Sequence, residues 1–141
     1  MEITRRDALG AAMLPLLYNF CSSASKASAQ GQVTNVSVFQ HALPDITMED
    51  WQVTVSEITM PPGNAGTAHH HPGFVLVYVL EGAVVTKISD QPEATYSAGQ
   101  MFYEQPGATH EVSKNASATR PAKFLAFIFA KKGLPLTTPA R

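Results

Sequence analysis

His69 and His71 stand two residues apart beside the Pro72-Gly73 turn, and His110 follows a second Pro-Gly pair, Pro106-Gly107. Residues i and i+2 of a β-strand point to one face. His69 and His71 can therefore grip one ion while His70 points away. A third imidazole from another strand would complete a three-histidine set, the arrangement of catalytic metal centres that keep a coordination position open. The bland alternative is an incidental cluster of exposed histidines, and His70 is expected to be exposed in either case. The conjunction favours ligands, because four of the five histidines lie in two Pro-Gly turns, each beside a strongly β-like run. His41 has no such context and is expected on the surface.

The elements that must position these rings are short runs rich in Val, Ile, Thr, Phe and Tyr, broken by Pro, Gly, Asn and Asp. Strands are predicted over Val33–Gln40, Trp51–Met60, Phe74–Leu80, Ala83–Ser89, Met101–Glu104, Thr109–Lys114 and Lys123–Lys131, with a single helical turn over Asp45–Asp50. Many short strands at this spacing indicate a sandwich or barrel. Phe74–Leu80 and Lys123–Ala130 are apolar on both faces, so both faces must be covered, by the interior on one side and a second layer or a partner subunit on the other. His69 and His71 share parity with Val75, Val77 and Val79. If Pro72-Gly73 adds no bulge, the rings sit on the wall of an apolar pocket. Gly133–Arg141, with Pro135 and Pro139, reads as an extended tail or arm.

Paired arginines, Arg5-Arg6, precede a modest apolar run from Ala11 to Phe20, and Ala27-Ser28-Ala29 forms an A-x-A cleavage site before Gln30. The pattern resembles a twin-arginine (Tat) export signal. It implies cleavage of residues 1–29, passage through the Tat translocase, a periplasmic or secreted location in a bacterium, and a single domain over residues 30–141. The apolar run is interrupted by Pro15 and is too short to span a bilayer, so no membrane anchor is expected. The only cysteine, Cys21, falls within the segment to be removed. Beyond residue 29 there are seven Lys and Arg against nine Asp and Glu, with no basic block. Nucleic acid and anionic membrane are thereby disfavoured as partners.

With these residues in view, the chain resembles a small single-domain cupin. Gly63, His69, His71 and Gly82 fall at positions of that family's first motif, and Gly99, Gly107 and His110 match its second, with the motif proline one residue late at Pro106. The resemblance covers about Val53 to Ala130. It implies an all-β double-stranded β-helix, or jelly-roll, of six to eight strands, paired into a homodimer. It also implies a divalent metal held by His69, His71 and His110. One departure matters, because the motif glutamate falls on Val75. Three neutral ligands would leave more open positions and a stronger Lewis acid. They would weaken hold on hard ions relative to Fe²⁺, Ni²⁺, Cu²⁺ and Zn²⁺. Glu104, Gln105 and Tyr103 are the candidates for a replacement ligand or an acid/base beside the metal.

The function expected from these features is that of an exported, metal-dependent enzyme of dioxygenase type acting on a small organic molecule. Iron is the favoured ion, with Mn, Ni, Cu or Zn as alternatives, because a Tat substrate crosses the membrane folded and can be loaded in the cytoplasm. Val75, Val77, Val79, Met101 and Phe102 are expected to line the substrate pocket, and Glu104 and Tyr103 are the catalytic candidates. The rivals are an isomerase or lyase, a non-catalytic module that binds a small ligand or metal, and a purely structural cupin without metal.

Overall fold

The β-branched and aromatic runs pair into two antiparallel sheets. The structure is a computed structural model describing residues 32–140; the expected export signal over residues 1–29 lies outside the described residues. Apart from residues 32–34, these belong to one compact unit, Asn35–Arg141. The strands are β1 (Trp51–Met60), β2 (His69–His70), β3 (Phe74–Glu81), β4 (Ala83–Ile88), β5 (Ala94–Ser97), β6 (Met101–Glu104), β7 (Thr109–Asn115), β8 (Ala122–Lys131) and β9 (Thr138–Pro139). One sheet has the order β1-β8-β3-β6 and the other β5-β4-β7-β2-β9. Val75, Val77, Val79, Phe102, Phe124 and Ile128 from the first pack against Val84 and Ile88 from the second. The fold is thus an all-β jelly-roll closed around one apolar core. Among the described residues no helix is long and apolar enough to cross a membrane.

The double-sided apolar strands are explained by what lies behind them. On β8, Ala122, Phe124, Ala126, Ile128 and Ala130 face the core, while Leu125, Phe127 and Phe129 are half-buried on the outer face. Part of that outer face is covered by the chain itself. Residues Phe39 to Leu43 lie against Leu76 and Tyr103, with the His41 ring 4.1 Å from that of Tyr103. His41 is exposed but not idle, since it helps form this second layer. Val53 and Val55 remain 50% and 51% exposed on the edge strand.

Three expectations are corrected. Val33–Gln40 forms no strand; Val33, Val36 and Val38 are exposed and make no ladder, and β propensity without a pairing partner has little to fix it. Asp45–Asp50 is a bend and a turn rather than a helical turn, ended by Asp50 at a φ of 59°. The C-terminal tail contributes a strand where none is predicted, because β9 pairs with β2, setting His69 opposite Pro139 and His70 opposite Thr138.

Candidate metal centre

Two strands and one turn bring the histidines together. In the β2–β7 ladder His69 lies directly opposite His110, and directly opposed residues of an antiparallel pair share a face. Their ring centroids are 5.0 Å apart. His71 follows β2 and sets its ring 4.9 Å from that of His69, edge-on. The Pro72-Gly73 turn then hands the chain to β3 without changing parity, so His71, Val75 and Val77 line one cavity. Only glycine allows this, since a Cβ at Gly73 would lie 1.9 Å from the Phe129 carbonyl oxygen and 2.8 Å from the Trp51 ring. At the other turn Gly107 takes a φ of 74°, in the left-handed region that glycine occupies freely.

Hydrogen bonds fix where the imidazole protons sit. His69 donates from Nδ1 to the Thr67 carbonyl at 2.9 Å, and His71 from Nδ1 to the Leu136 carbonyl at 2.7 Å. A carbonyl only accepts, so in both neutral rings Nε2 carries a bare lone pair. The two Nε2 atoms are 3.2 Å apart. Lone pairs so close repel unless a cation lies between them. His110, 5% exposed, has Nε2 in a 2.6 Å hydrogen bond with Thr86 Oγ1. Its Nδ1 is buried without a hydrogen-bond partner. One nitrogen from each ring falls within 4.8 Å of the others. An orphaned buried nitrogen beside two facing lone pairs is what a metal site presents, and a carbonyl behind a ligating imidazole is its usual support. Burial lowers the pKa of His71, an effect partly opposed by Glu104, which favours the neutral ring that a metal requires.

Glu104 enters from the facing sheet. It is 5% exposed, with Oε1 3.2 Å from His110 Nδ1 and Oε2 3.6 Å from His71 Nε2. A buried acid therefore stands at the histidines, in a place that the sequence suggested without fixing. Tyr103, its neighbour on β6, is corrected as a site residue. Strand alternation turns it to the outer face against His41 and Phe74, where desolvation raises the pKa of its hydroxyl. Met101 shares that outward parity and is also removed from the pocket list, and Gln105 is exposed in the turn. Val79 is fully buried in the core and does not reach the cavity wall. His70, expected to be exposed, is half-buried, with Nδ1 3.2 Å from the Ala108 carbonyl.

The cavity measures about 450 Å³. Val75, Val77 and Phe102 line it, and Ile58, Met60, Phe124, Ile128 and Leu136 complete an apolar wall. Among the described lining residues none is Lys or Arg. The sequence reading missed Thr86 and Leu136. Thr86 had a signal, since it interrupts the apolar parity of Val84 and Ile88; a backbone carbonyl from the C-terminal segment had none.

The cupin domain family matches residues 56–128, and the chain belongs to that family. A comparison with curated protein sequences returns no match. Among solved structures, the chain is similar to a cupin-like protein from Thermotoga maritima at 16% identity and a TM-score of 0.54, covering 62% of this chain and 64% of that one. It is also similar to an oxalate decarboxylase from Lactobacillus farciminis, in a formate complex (17%, TM-score 0.52, 62% and 26%). A third is the DMSP lyase DddQ of Ruegeria pomeroyi (16%, TM-score 0.54, 62% and 43%). The chain thus spans about a quarter of the oxalate decarboxylase and under two-thirds of the cupin-like protein. At these identities the likeness is one of fold.

Proposed function

We propose that this chain is an exported, metal-dependent cupin enzyme acting on a small organic molecule with an uncharged, apolar body. The observation that carries the reading is the convergence of three imidazole nitrogens within 4.8 Å of one another at the wall of an apolar cavity. A divalent transition ion bound there would supply Lewis-acid polarisation and, with iron as the favoured ion, redox chemistry toward dioxygen. The protein's own contribution is orientation and exclusion. The Thr67 and Leu136 carbonyls hold the rings of His69 and His71, Thr86 holds that of His110, and Phe102, Phe124 and Ile128 shield the site from water. Oxalate, the substrate named for one structural neighbour, is a poor fit. It would leave most of the cavity unfilled, and no Lys or Arg among the described lining residues balances a second carboxylate. A phenol or enol, which can offer oxygen to the ion and a ring to the wall, suits this lining.

Oxygen insertion is the reaction we favour. The second reading, an isomerase or lyase, rests on the buried Glu104 carboxylate, which could serve as the base. Export rests on Arg5-Arg6 and Ala27-Ser28-Ala29. The decisive experiment is metal analysis of protein from its native compartment, followed by oxygen uptake with a panel of phenols, thiols and keto acids. Wild type should carry about one equivalent of metal, as a single mononuclear site requires, and His69→Ala and His110→Ala should lose it. Equal metal content in all three would overturn the site. Tight binding of a panel member without turnover would make the protein a binding module instead.

A further inference from the structure

We propose that Glu104 is itself a ligand, so that the centre is a three-histidine, one-carboxylate set whose acid comes from β6, the strand beside Val75. The inference rests on the metal reading above and adds to it the charge and composition of the site.

Electroneutrality makes the first case. A carboxylate this deeply buried must face a positive charge or several hydrogen-bond donors. Among the described residues its only basic neighbours within 4.0 Å are His71 and His110. Neither donates a hydrogen bond to it. His71 has committed its proton on Nδ1 to the Leu136 carbonyl, and the nitrogen near Glu104 is the bare Nε2. His110 engages Thr86 through Nε2, and the nitrogen near Glu104 is the orphaned Nδ1. A buried carboxyl facing the bare Nε2 of His71 and the orphaned Nδ1 of His110 needs either a proton or a cation among them, and the convergence of a third imidazole nitrogen, that of His69, within 4.8 Å favours the ion.

Spacing makes the second case. Ligand atoms bound at about 2.1 Å to one ion, at tetrahedral or octahedral angles, lie about 3.0–3.4 Å apart. His69 Nε2 and His71 Nε2 are separated by 3.2 Å, and Glu104 and His110 Nδ1 likewise by 3.2 Å. The gap from Glu104 to His71 Nε2 is 3.6 Å. The three histidines come from β2, β7 and the turn after β2 in one sheet, and the carboxylate reaches across from the other. The anion also changes which ions the site prefers. Three neutral ligands disfavour hard ions, whereas an added carboxylate restores affinity for Mn²⁺ and Fe²⁺.

The ladder supplies the test. Val75 and Glu104 are direct partners in the β3–β6 register and both line the cavity, so the acid can be moved from one strand to the other. Full-length apo protein is titrated with Mn²⁺, reading the free ion by electron paramagnetic resonance, and with Zn²⁺ by chelator competition. Thermal unfolding of each apo variant confirms folding. Glu104→Gln, isosteric and uncharged, should raise the Mn²⁺ dissociation constant more than about 100-fold, beyond the 10–100-fold that partners outside the coordination shell carry. Glu104→Val should do the same, and the Val75→Glu/Glu104→Val swap should regain at least about tenfold of the loss. A Glu104→Gln protein that binds Mn²⁺ like wild type overturns the inference and leaves the three-histidine site standing. A folded swap variant no better than Glu104→Val also overturns it. Wild type that binds neither ion overturns this inference and the metal reading together.

Discussion

Thr86→Val is the sharpest perturbation of the support behind the histidines. Thr86 is 2% exposed on β4 and holds His110 Nε2 through a 2.6 Å hydrogen bond. Valine keeps the volume and removes only the hydroxyl. With the proton on Nε2, the variant leaves a buried N–H without an acceptor, costing about 1–3 kcal/mol. For a domain of this size that lowers the apo melting temperature by roughly 4 °C per kcal/mol. The consequence for metal is separate. Once the partner of Nε2 is gone, the imidazole proton is free to move to Nδ1, where it faces Glu104 and must be expelled before an ion can bind. Loss of such a support typically weakens metal by 10–100-fold, about 1.4–2.7 kcal/mol. Differential scanning fluorimetry of apo protein and chelator-competition titration measure the two effects, and Thr86→Ser should recover most of both. A variant with wild-type stability and unchanged or tighter metal binding would refute the reasoning, because it would mean that His110 ligates through Nε2 and that Thr86 competes with the ion.

Four further outcomes are expected. Gly73→Ala must displace the turn from the Phe129 carbonyl, costing at least the 1–3 kcal/mol typical of overpacking; urea denaturation should show it, and metal affinity should fall as His71 moves. Truncation after Lys132 removes the Leu136 carbonyl and the β9 pairing, so it should weaken metal by about tenfold while leaving the fold intact by circular dichroism. Burial lowers the His71 pKa, so below its ordinary 6.5 the unfolded chain holds more protons than the native one. Stability of the apo protein should therefore fall as pH drops from 6.5 toward the folded value, and His71→Gln should flatten that slope in melting curves. Phe102→Ala should cost about 3–5 kcal/mol and enlarge the cavity, whereas Met101→Ala, on the outer face, should cost clearly less in the same denaturation assay.

The parts of the fold legible in the sequence are those that bury apolar surface. Trp51–Met60 and Met101–Glu104 form strands over the spans expected, and Phe74–Leu80 extends by one residue to Glu81. The strands that escaped notice are made by their partners. Ala94–Ser97 alternates between half-buried and exposed and is held by β4, and Thr138–Pro139 is exposed and held only by β2. Val33–Gln40 shows the converse, with a β-like composition and no ladder to join. Alternation within Met101–Glu104 is itself a usable signal. It puts Phe102 and Glu104 on the buried face and Met101 and Tyr103 on the other, so it already separated the pocket residues from the rest.

Which strand lies beside β3 was the information that alternation lacked. Along the chain Val75 looks like a lost ligand, since it stands where the family motif carries a glutamate. In the β3–β6 ladder it is the direct partner of Glu104. Opposed residues of an antiparallel pair occupy adjacent places on one face, with Cβ atoms about 5 Å apart. A flexible carboxylate can close that distance, so a chemical need fixed by position on the sheet can be met from either strand. A linear motif records only one of them. The apolar Val75 beside the acid is then consistent with the rest of the site, because it denies water to a carboxyl that, among the described residues, has no Lys or Arg to pair with, and so suits that group to a cation.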